Sequence, residues 1–313
     1  LKISVLKSSP LISKNIFTIF FSSLLILYSI ITSLIFLILN RPSIIFGMGG
    51  YASFPLCLAA AFLNIKFVIY ENNLVLGKAN KYLLPFTEKL IVSFKELEGV
   101  PTKYQNKIHK IGNIIKKEII NFSLIKNENI NIKKFNILVL GGSQAAKIFA
   151  EILPKIFSQC NKHGVILKIF QHCLPHQNEK LKSFYENMNI DFETFNFSHN
   201  LNEYFSKTNL AITRSGASML AELTNANIPF ISVPLPSSAD GHQLKNAIYY
   251  QKKKMAFLIE EKDLNDQLFS LIKDISKNNS ILVKMSENQR QYSDKNVYNN
   301  INQVVKEIID EKN

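Results

Sequence analysis

The sequence predicts an α/β protein built from two doubly wound domains, each with a parallel sheet. Short apolar runs alternate with helical stretches along most of its 313 residues, and this alternation is typical of parallel sheets covered by helices. A hydrophobic content of 47% supports large cores, and the length suits two domains. We predict domains at residues 1–120 and 121–313, with their sheets facing a cleft. Whether the last helix packs back on the N-terminal domain stays open.

The chain opens on an apolar segment, residues 15–39, which contains no charged residue and is flanked by Lys14 and Arg41. Its length and hydropathy are those of a membrane-spanning helix. A strand and a glycine turn follow within a few residues, which favours a helix that docks on the sheet and exposes one face to lipid. The docked helix is preferred, and a true span stays open.

The N-terminal domain also has an uneven charge. Residues 1–120 contain 14 basic and 5 acidic residues, a balance of +9 within a net charge of +13. Such an excess indicates an anionic partner. Because the basic residues are scattered and lack interleaved aromatic residues, we expect an anionic membrane surface and no nucleic acid.

Cysteine and histidine spacing predicts neither a disulfide nor a metal site. Cys57, Cys160 and Cys173 form no CxxC pair, which fits buried thiols in a reducing compartment. His172 and His176 are separated by a proline that interrupts the helix needed to place both imidazoles on one face.

The predicted N-terminal elements begin with a strand that ends in the glycine turn Gly-Met-Gly-Gly-Tyr at 47–51. Polar residues 71–73 follow the next strand, at a sheet edge where ligands gather in open α/β folds. Residues 99–134 break the alternation of strands and helices, and we interpret their polar Lys/Asn tract, residues 126–134, as the connection between domains. The elements are strands at 43–46, 66–70 and 90–94, and helices at 56–62 and 77–84.

The predicted C-terminal domain begins with a buried strand and a second glycine turn, Gly-Gly-Ser-Gln-Ala-Ala at 141–146. After its last strand we expect two helices, the final one with an apolar stripe at helical spacing. The strands are 135–140, 165–170, 192–197, 210–212, 230–233 and 255–260, and the helices before the last strand include 147–160 and 201–207.

Residues 209–246 carry the clearest sign of a ligand. A strand leads into the small-residue turn Ser-Gly-Ala-Ser at 215–218, and a helix carrying Glu222 follows. Free N–H groups and the helix dipole at such a start favour phosphate. A carboxylate one turn later can accept hydrogen bonds from vicinal hydroxyls, as for ribose in dinucleotide folds. Spacing alone leaves an ordinary helix start with an exposed glutamate equally open.

Several motifs occur together and in order. They are Phe-Gly-Met-Gly-Gly-Tyr (46–51), Tyr-Glu-Asn-Asn (70–73), Gly-Asn (112–113), Leu-Gly-Gly-Ser-Gln (140–144), Arg-Ser-Gly-Ala-Ser (214–218) with Glu222, and Val-Pro-Leu-Pro (233–236) with Gln243 and Asn246. In these motifs the chain resembles the MurG family, which transfers N-acetylglucosamine (GlcNAc) from UDP-GlcNAc to lipid-linked muramyl-pentapeptide in bacterial cell-wall synthesis.

The resemblance implies the GT-B architecture, two Rossmann-like domains, and an inverting transfer without metal or cofactor at the cytoplasmic face of the inner membrane. It assigns Glu222 to the ribose hydroxyls, Ser143 to the diphosphate, and Gln243 with Asn246 to the sugar hydroxyls. Ser198 corresponds to a backbone contact with uracil. The full set of implied substrate contacts is Asn73, Lys116, Ser143, Ser198, Ala217, Ser218, Met219, Leu220, Ala221, Glu222, Gln243 and Asn246.

The chain also departs from the family pattern. Lys116 stands where the family has arginine, which keeps the charge but loses the bidentate fork. Tyr70 replaces a histidine, and Ala145 replaces a glycine. We expect the N-terminal domain to lack the family's first strands and the glycine-rich loop with its histidine base. The general base is therefore unassigned, with Glu71 as a distant substitute.

Three functions remain open at this stage. The first is the UDP-GlcNAc-dependent transferase acting on the lipid-linked muramyl-pentapeptide. The second is a catalytically inactive, membrane-associated protein that binds a UDP-sugar. The third is a related GT-B enzyme with a different acceptor.

Overall fold

The protein is described by a computed structural model that covers residues 16–122, 134–198, 201–292 and 294–310. It folds as two compact units. Unit 1 extends to Ile114 and takes back the chain from Asn296 onward, and unit 2 extends from Ile115 to Lys295.

Unit 1 contains a parallel sheet in the order β1-β2-β3-β4. Its C-terminal helix α12 is held there by Asn300, which donates to the Ile111 carbonyl at 3.2 Å, and by an ion pair between Lys89 and Glu307 at 3.0 Å. The elements are β1 (Ile45–Gly47), β2 (Phe67–Glu71), β3 (Lys89–Val92), β4 (Ile108–Lys110), α1 (Ile16–Asn40), α2 (Gly50–Phe62), α3 (Lys78–Leu83) and α12 (Val297–Asp310).

Two predictions in this unit are wrong in detail. Helix α2 begins at Gly50 rather than at residue 56, because Gly49 at φ 79° turns the chain directly from strand to helix. Residues 99–134 do not simply break the alternation of strands and helices, since they contain β4 in this unit and helix α4 of unit 2. The edge strand β4 is short and only partly buried, so no apolar run signalled it. Residues 123–133, which include most of the Lys/Asn tract at 126–134, lie outside the described residues.

Helix α1 packs on α2 and leaves most of its surface exposed. Among its described side chains, those fully buried are Ser29, Ser33 and Leu37, which lie one turn apart. By length and composition α1 is apolar enough to cross a membrane, and only 17% of its most apolar stretch is buried. The buried stripe shows that α1 is docked on unit 1, and its remaining faces present apolar side chains.

Unit 2 contains a second parallel sheet in the order β10-β9-β8-β5-β6-β7. Its core lies between the sheet and helices α5, α6 and α10, with Phe149, Phe157 and Tyr185 fully buried. The elements are α4 (Lys117–Phe122), β5 (Phe135–Leu140), α5 (Ser143–Lys162), β6 (Leu167–His172), α6 (Asn178–Asn187), β7 (Asp191–Phe195), α7 (Asn202–Phe205), β8 (Leu210–Arg214), α8 (Ala217–Asn225), β9 (Phe230–Val233), α9 (His242–Lys252), β10 (Ala256–Leu258), α10 (Leu264–Lys277) and α11 (Ser280–Arg290).

In the described part of the chain after β10 there are three α-helices, α10, α11 and α12, where two were predicted. Helix α11 was missed because its sequence is polar and its buried side includes Gln289 beside Leu282 and Met285. Gln289 donates to the carbonyls of Ile228 and Met255 at 2.9 and 2.8 Å. A buried polar anchor of this kind weakens the apolar periodicity on which helix prediction depends.

The three cysteines are buried and unpaired, as predicted. Burial raises the pKa of the Cys57 and Cys160 thiols to about 12. Both side chains therefore stay protonated at neutral pH and serve as core residues.

Candidate functional site

The strand order of unit 2 reverses between β5 and β8. From β5 the chain continues to β6 and β7 on one side, and from β8 it continues to β9 and β10 on the other. The two central strands are parallel, with Leu140 opposite Thr213, so both end at the same edge. Open α/β sheets bind ligands outside the carboxyl ends of the strands at such a reversal.

A helix begins directly after each of these two strands. Helix α5 follows Gly142 and α8 follows Gly216. The first turn of a helix presents N–H groups and partial positive charge. A Cβ built on Gly142 or Gly216 would meet no described heavy atom within 4 Å, so the described residues leave room beside both glycines. Helix starts of this kind favour an anion such as phosphate. Ser143 is the first residue of α5, and its side chain lies outside the described residues.

The turn between β8 and α8 is held in place by buried hydrogen bonds. The hydroxyls of Ser215 and Ser232 are 2.7 Å apart, and Asn246 Nδ2 donates to the Ser215 carbonyl at 3.2 Å. Asn246 has no exposed surface. Asn246 therefore connects α9 to this turn. The contact of Asn246 with a sugar hydroxyl stays a prediction.

Arg214 clamps the same sheet edge, a role that we did not derive from the sequence. Its guanidinium donates to the carbonyls of Val233 and Pro234 at 3.4 and 3.3 Å and pairs with Glu261. It also lies 5.1 Å from the ring centre of Phe149. The sequence signal was an arginine beside a small-residue turn. Its partners could not be predicted, because they lie at or just after the ends of two other strands, β9 and β10.

We expect Arg214→Met to lower the free energy of unfolding by about 2 kcal/mol or more, because it leaves Glu261 and two carbonyls without their charged donor. Urea unfolding of unit 2 measures this loss. The control is Lys155→Met, which removes an exposed basic side chain of α5 in the same unit and should shift the midpoint little. Equal midpoints for the two variants would contradict the assigned clamp.

Glu222 lies about one turn into α8 and is half-buried. Burial raises its pKa, and the positive charge of Lys116 opposes this by lowering it. Lys116 is exposed and immediately precedes α4, which packs on α8. The structure therefore brings together two residues that the sequence could place only separately.

The side chains along α8 divide by exposure. Ser218 is exposed and Met219 is half-exposed, whereas Ala217, Leu220 and Ala221 are buried. Contacts of the buried residues with a nucleotide would therefore have to come from the backbone. The Leu220 N–H already donates to the Gly216 carbonyl at 3.1 Å, so this N–H is used within the helix and not for a nucleotide.

Gln243 and Ser198 border the same edge. Gln243 Oε1 accepts the Leu235 N–H at 2.9 Å, so its Nε2 group is the end that can donate to a ligand hydroxyl. Ser198 follows β7 and is half-buried, and residues 199–200 beside it lie outside the described residues.

Glu71 and Asn73 belong to unit 1, at the carboxyl end of β2. Glu71 is 5% exposed. The neighbouring glycine turn packs closely there, since a Cβ on Gly49 would lie 2.8 Å from the Tyr70 carbonyl. Unit 1 thus has its own ordered strand end.

Comparisons with known proteins agree with this geometry. Residues 136–304 match the glycosyltransferase family 28 C-terminal domain and residues 1–92 match its N-terminal domain. A UDP-N-acetylglucosamine–N-acetylmuramyl-(pentapeptide) pyrophosphoryl-undecaprenol N-acetylglucosamine transferase from Pelagibacter ubique is 35% identical, covering 96% of this chain and 83% of the relative. The enzyme of that name from Rickettsia canadensis is 36% identical, covering 79% of this chain and 71% of the relative.

Among solved structures, MurG of Acinetobacter baumannii superposes with a TM-score of 0.73 at 24% identity, covering 90% of this chain and 80% of that one. This likeness confirms the predicted fold class, α/β of the GT-B type with parallel sheets. With the family match and the identity to its relatives, the chain belongs to glycosyltransferase family 28 and, within it, to the MurG family of N-acetylglucosamine transferases.

Proposed function

We propose that this chain transfers N-acetylglucosamine from UDP-GlcNAc to undecaprenyl-diphosphate-linked N-acetylmuramyl-pentapeptide in peptidoglycan synthesis. The observation that carries the donor half is the pair of helix starts at the strand reversal of unit 2, with Glu222 one turn into α8. The acceptor half rests on membership of the family. The test is transfer of labelled GlcNAc from UDP-GlcNAc to the lipid-linked acceptor.

In this proposal the donor lies along the carboxyl edge of the sheet. The diphosphate lies before the first turns of α5 and α8, whose N–H groups and dipoles favour its charge. The Glu222 carboxylate accepts hydrogen bonds from the two ribose hydroxyls. Gln243 Nε2 donates to a hydroxyl of the sugar, because its oxygen is held by Leu235.

The chemistry is a direct displacement at the anomeric carbon with inversion. The bond from carbon to the UDP oxygen breaks as the acceptor hydroxyl attacks, and positive charge develops on the sugar. The departing diphosphate gains negative charge next to the two helix starts, so their N–H groups and dipoles stabilise the transition state more than the bound donor. A general base takes the hydroxyl proton.

Donor binding should weaken as the pH falls, and this loss should begin at a higher pH than an ordinary glutamate would give. The reason is that burial raises the Glu222 pKa, and a protonated carboxyl accepts hydroxyl hydrogen bonds poorly. Well below that pKa, affinity should fall up to tenfold per pH unit. Calorimetric titration with UDP-GlcNAc measures it.

Two variants check the assignment of this pH dependence. Glu222→Gln should bind weakly at every pH, with a flat profile. Lys116→Met should move the midpoint to higher pH, because it removes the charge that lowers the Glu222 pKa. If the midpoint of the pH dependence of binding were the same in both variants as in the wild type, the titration would belong to a group other than Glu222.

We also propose that the protein works at an anionic membrane surface, as a peripheral protein on the cytoplasmic face of the inner membrane. Two observations support this proposal. Helix α1 has an exposed apolar surface, with Phe17, Phe20 and Phe21 each more than 60% exposed, and residues 1–120 have an excess of basic residues. Apolar contact and attraction to anionic lipid add together in such binding.

Replacing Phe20 and Phe21 together by serine should reduce co-sedimentation with phosphatidylglycerol vesicles at least about tenfold, given the apolar area lost. Ile166→Ser, which removes an equally exposed apolar side chain from unit 2, is the control and should leave co-sedimentation unchanged. Release of the wild type by alkaline carbonate is the result expected of a peripheral protein, and retention would indicate a span.

A further inference from the structure

His242 begins helix α9, which follows β9 in the sheet of unit 2. Its Nδ1 atom lies 2.7 Å from the Ala239 carbonyl oxygen. Because a carbonyl oxygen can only accept, Nδ1 carries the ring hydrogen and donates it. In the neutral imidazole the other nitrogen, Nε2, is then an acceptor. The loop before α9 therefore fixes both the orientation and the tautomer of this histidine.

The Nε2 atom of His242 is open to a ligand. The side chain is partly exposed, and within the described part of the chain Nε2 has no hydrogen-bond partner and is not buried. A polar nitrogen that is held in one orientation and left accessible suits binding, because little side-chain freedom is lost when a ligand contacts it.

The face of α9 that carries His242 is turned toward the start of α8. Residues four apart lie on one face of a helix. Asn246, four residues after His242, donates through Nδ2 to the Ser215 carbonyl at 3.2 Å. His242 lies one turn nearer the beginning of α9, which is at the carboxyl edge of the sheet. It therefore lies beyond Asn246, on the open side of the turn between β8 and α8.

The sugar of the proposed donor belongs on the same side of α8. Helices α8 and α9 join β8 to β9 and β9 to β10, and these strands are neighbours in the sheet. Successive right-handed crossovers in one direction lie side by side, so α9 flanks α8 on the β10 side. Glu222 lies on the other flank, near Lys116, since α4 packs on α8 and on α7, which precedes β8. A donor with its ribose at Glu222 and its diphosphate before α8 consequently has its sugar toward α9.

We propose that His242 binds a hydroxyl group of the donor sugar through Nε2 and helps to determine the specificity for that sugar. This role rests on the proposed function, which places the UDP-sugar at this edge. The next residue, Gln243, has its Oε1 atom held by the Leu235 N–H at 2.9 Å and presents Nε2 as a donor. The first turn of α9 thus offers one acceptor and one donor, which suits two neighbouring hydroxyls of a hexose.

Two substitutions that divide the imidazole test the proposal, with calorimetric titration by UDP-GlcNAc and by UDP as the readout. Asparagine places an amide nitrogen near the Nδ1 position, so His242→Asn keeps the bond to Ala239 and removes Nε2. Glutamine reaches the Nε2 position, so His242→Gln keeps an acceptor there.

We expect His242→Asn to weaken UDP-GlcNAc binding by roughly 3- to 10-fold, as for one neutral hydrogen bond, and to leave UDP binding unchanged. His242→Gln should bind UDP-GlcNAc nearly as tightly as the wild type. Unchanged UDP-GlcNAc affinity in His242→Asn would overturn the proposal. An equal loss for UDP would also overturn it, because the effect would then not concern the sugar.

Fluorinated donors identify the hydroxyl that His242 contacts. Fluorine takes nearly the space of a hydroxyl but has no hydrogen to donate to Nε2. The analogues of UDP-GlcNAc with fluorine at C3, C4 or C6 are titrated against the wild type and His242→Asn. With one of the three, His242→Asn should cause no further loss, because the bond is already missing. A further loss of the same size with every analogue would contradict a contact with a sugar hydroxyl.

The matched control is His163→Asn. His163 makes the same kind of bond, from Nδ1 to the Gln159 carbonyl at 2.9 Å, but at the end of α5 that lies away from the carboxyl edge. This variant should bind both ligands like the wild type.

The binding readout also separates this proposal from the proposed function. If Glu222→Ala lost affinity for both ligands while His242→Asn bound UDP-GlcNAc like the wild type, the donor site would stand and the role of His242 would fall. If the wild type bound UDP-GlcNAc but transferred no sugar, the proposed function would fail, and the affinities would still decide the role of His242.

Discussion

Glu222→Ala is expected to weaken UDP-GlcNAc binding by about 100-fold. The carboxylate is assigned two hydrogen bonds to ribose hydroxyls. Because Glu222 is only half-buried, each bond is expected at the lower end of the range for a charged group, about 1.5 kcal/mol, and the two together correspond to roughly 100-fold in Kd. Glu222→Gln keeps one oxygen and the side-chain volume, so its loss should be smaller, about tenfold. Isothermal titration calorimetry with UDP-GlcNAc and with UDP measures both.

The ligand pair and a matched control make this result specific. Both variants should lose affinity for UDP as well as for UDP-GlcNAc, because ribose is common to the two. Glu179→Ala, which removes a highly exposed glutamate of unit 2, should bind like the wild type. Unchanged donor affinity in Glu222→Ala would remove Glu222 from the site.

Gly49→Ala should strongly destabilise unit 1. Gly49 has φ 79° and ψ −179°, a region essentially restricted to glycine, which costs other residues about 1–3 kcal/mol. The added Cβ would also lie 2.8 Å from the backbone oxygen of Tyr70, one residue before the Glu71 carboxylate. We expect a fall of several degrees in the melting temperature, measured by differential scanning calorimetry.

Alanine variants at two further glycines separate the cost of the backbone conformation at Gly49 from the cost of the steric overlap with Tyr70. Gly50 has φ 71° but no described atom within 4 Å of its Cβ position, so Gly50→Ala should show only the backbone cost, about 1 kcal/mol. Gly142, at φ −70° and equally open, should tolerate alanine with little change in stability. Equal melting temperatures for the three variants would show that neither the backbone conformation nor the overlap with the Tyr70 oxygen destabilises Gly49→Ala.

The parts of the fold that were predictable are those encoded locally. Alternating apolar runs and helical stretches indicated parallel sheets, because strands buried on both faces are continuously apolar. The small-residue turn before Glu222 indicated a helix start that favours phosphate. The adjacency of β5 and β8 was not readable, since pairing joins residues such as Leu140 and Thr213 that are far apart in sequence.

The roles of buried polar residues were also beyond local reasoning. Asn246 and Glu71 carry polar groups that a sequence pattern associates equally with a ligand or with the backbone. Their partners, the Ser215 carbonyl and the N–H groups of residues 73 and 77, are set by the tertiary fold. Because buried polar groups need hydrogen-bond partners, the fold decides which function such residues have.

The most direct test of the proposed transfer is an assay with UDP-[14C]GlcNAc and a lipid-linked N-acetylmuramyl-pentapeptide diphosphate in anionic lipid. We predict a labelled lipid-linked disaccharide with a β-linked GlcNAc from the wild-type chain, and at subsaturating donor a yield about 100-fold lower from Glu222→Ala. Binding of UDP-GlcNAc without any labelled lipid product, under conditions in which a related transferase forms it, would contradict the account and favour a protein that only binds the UDP-sugar.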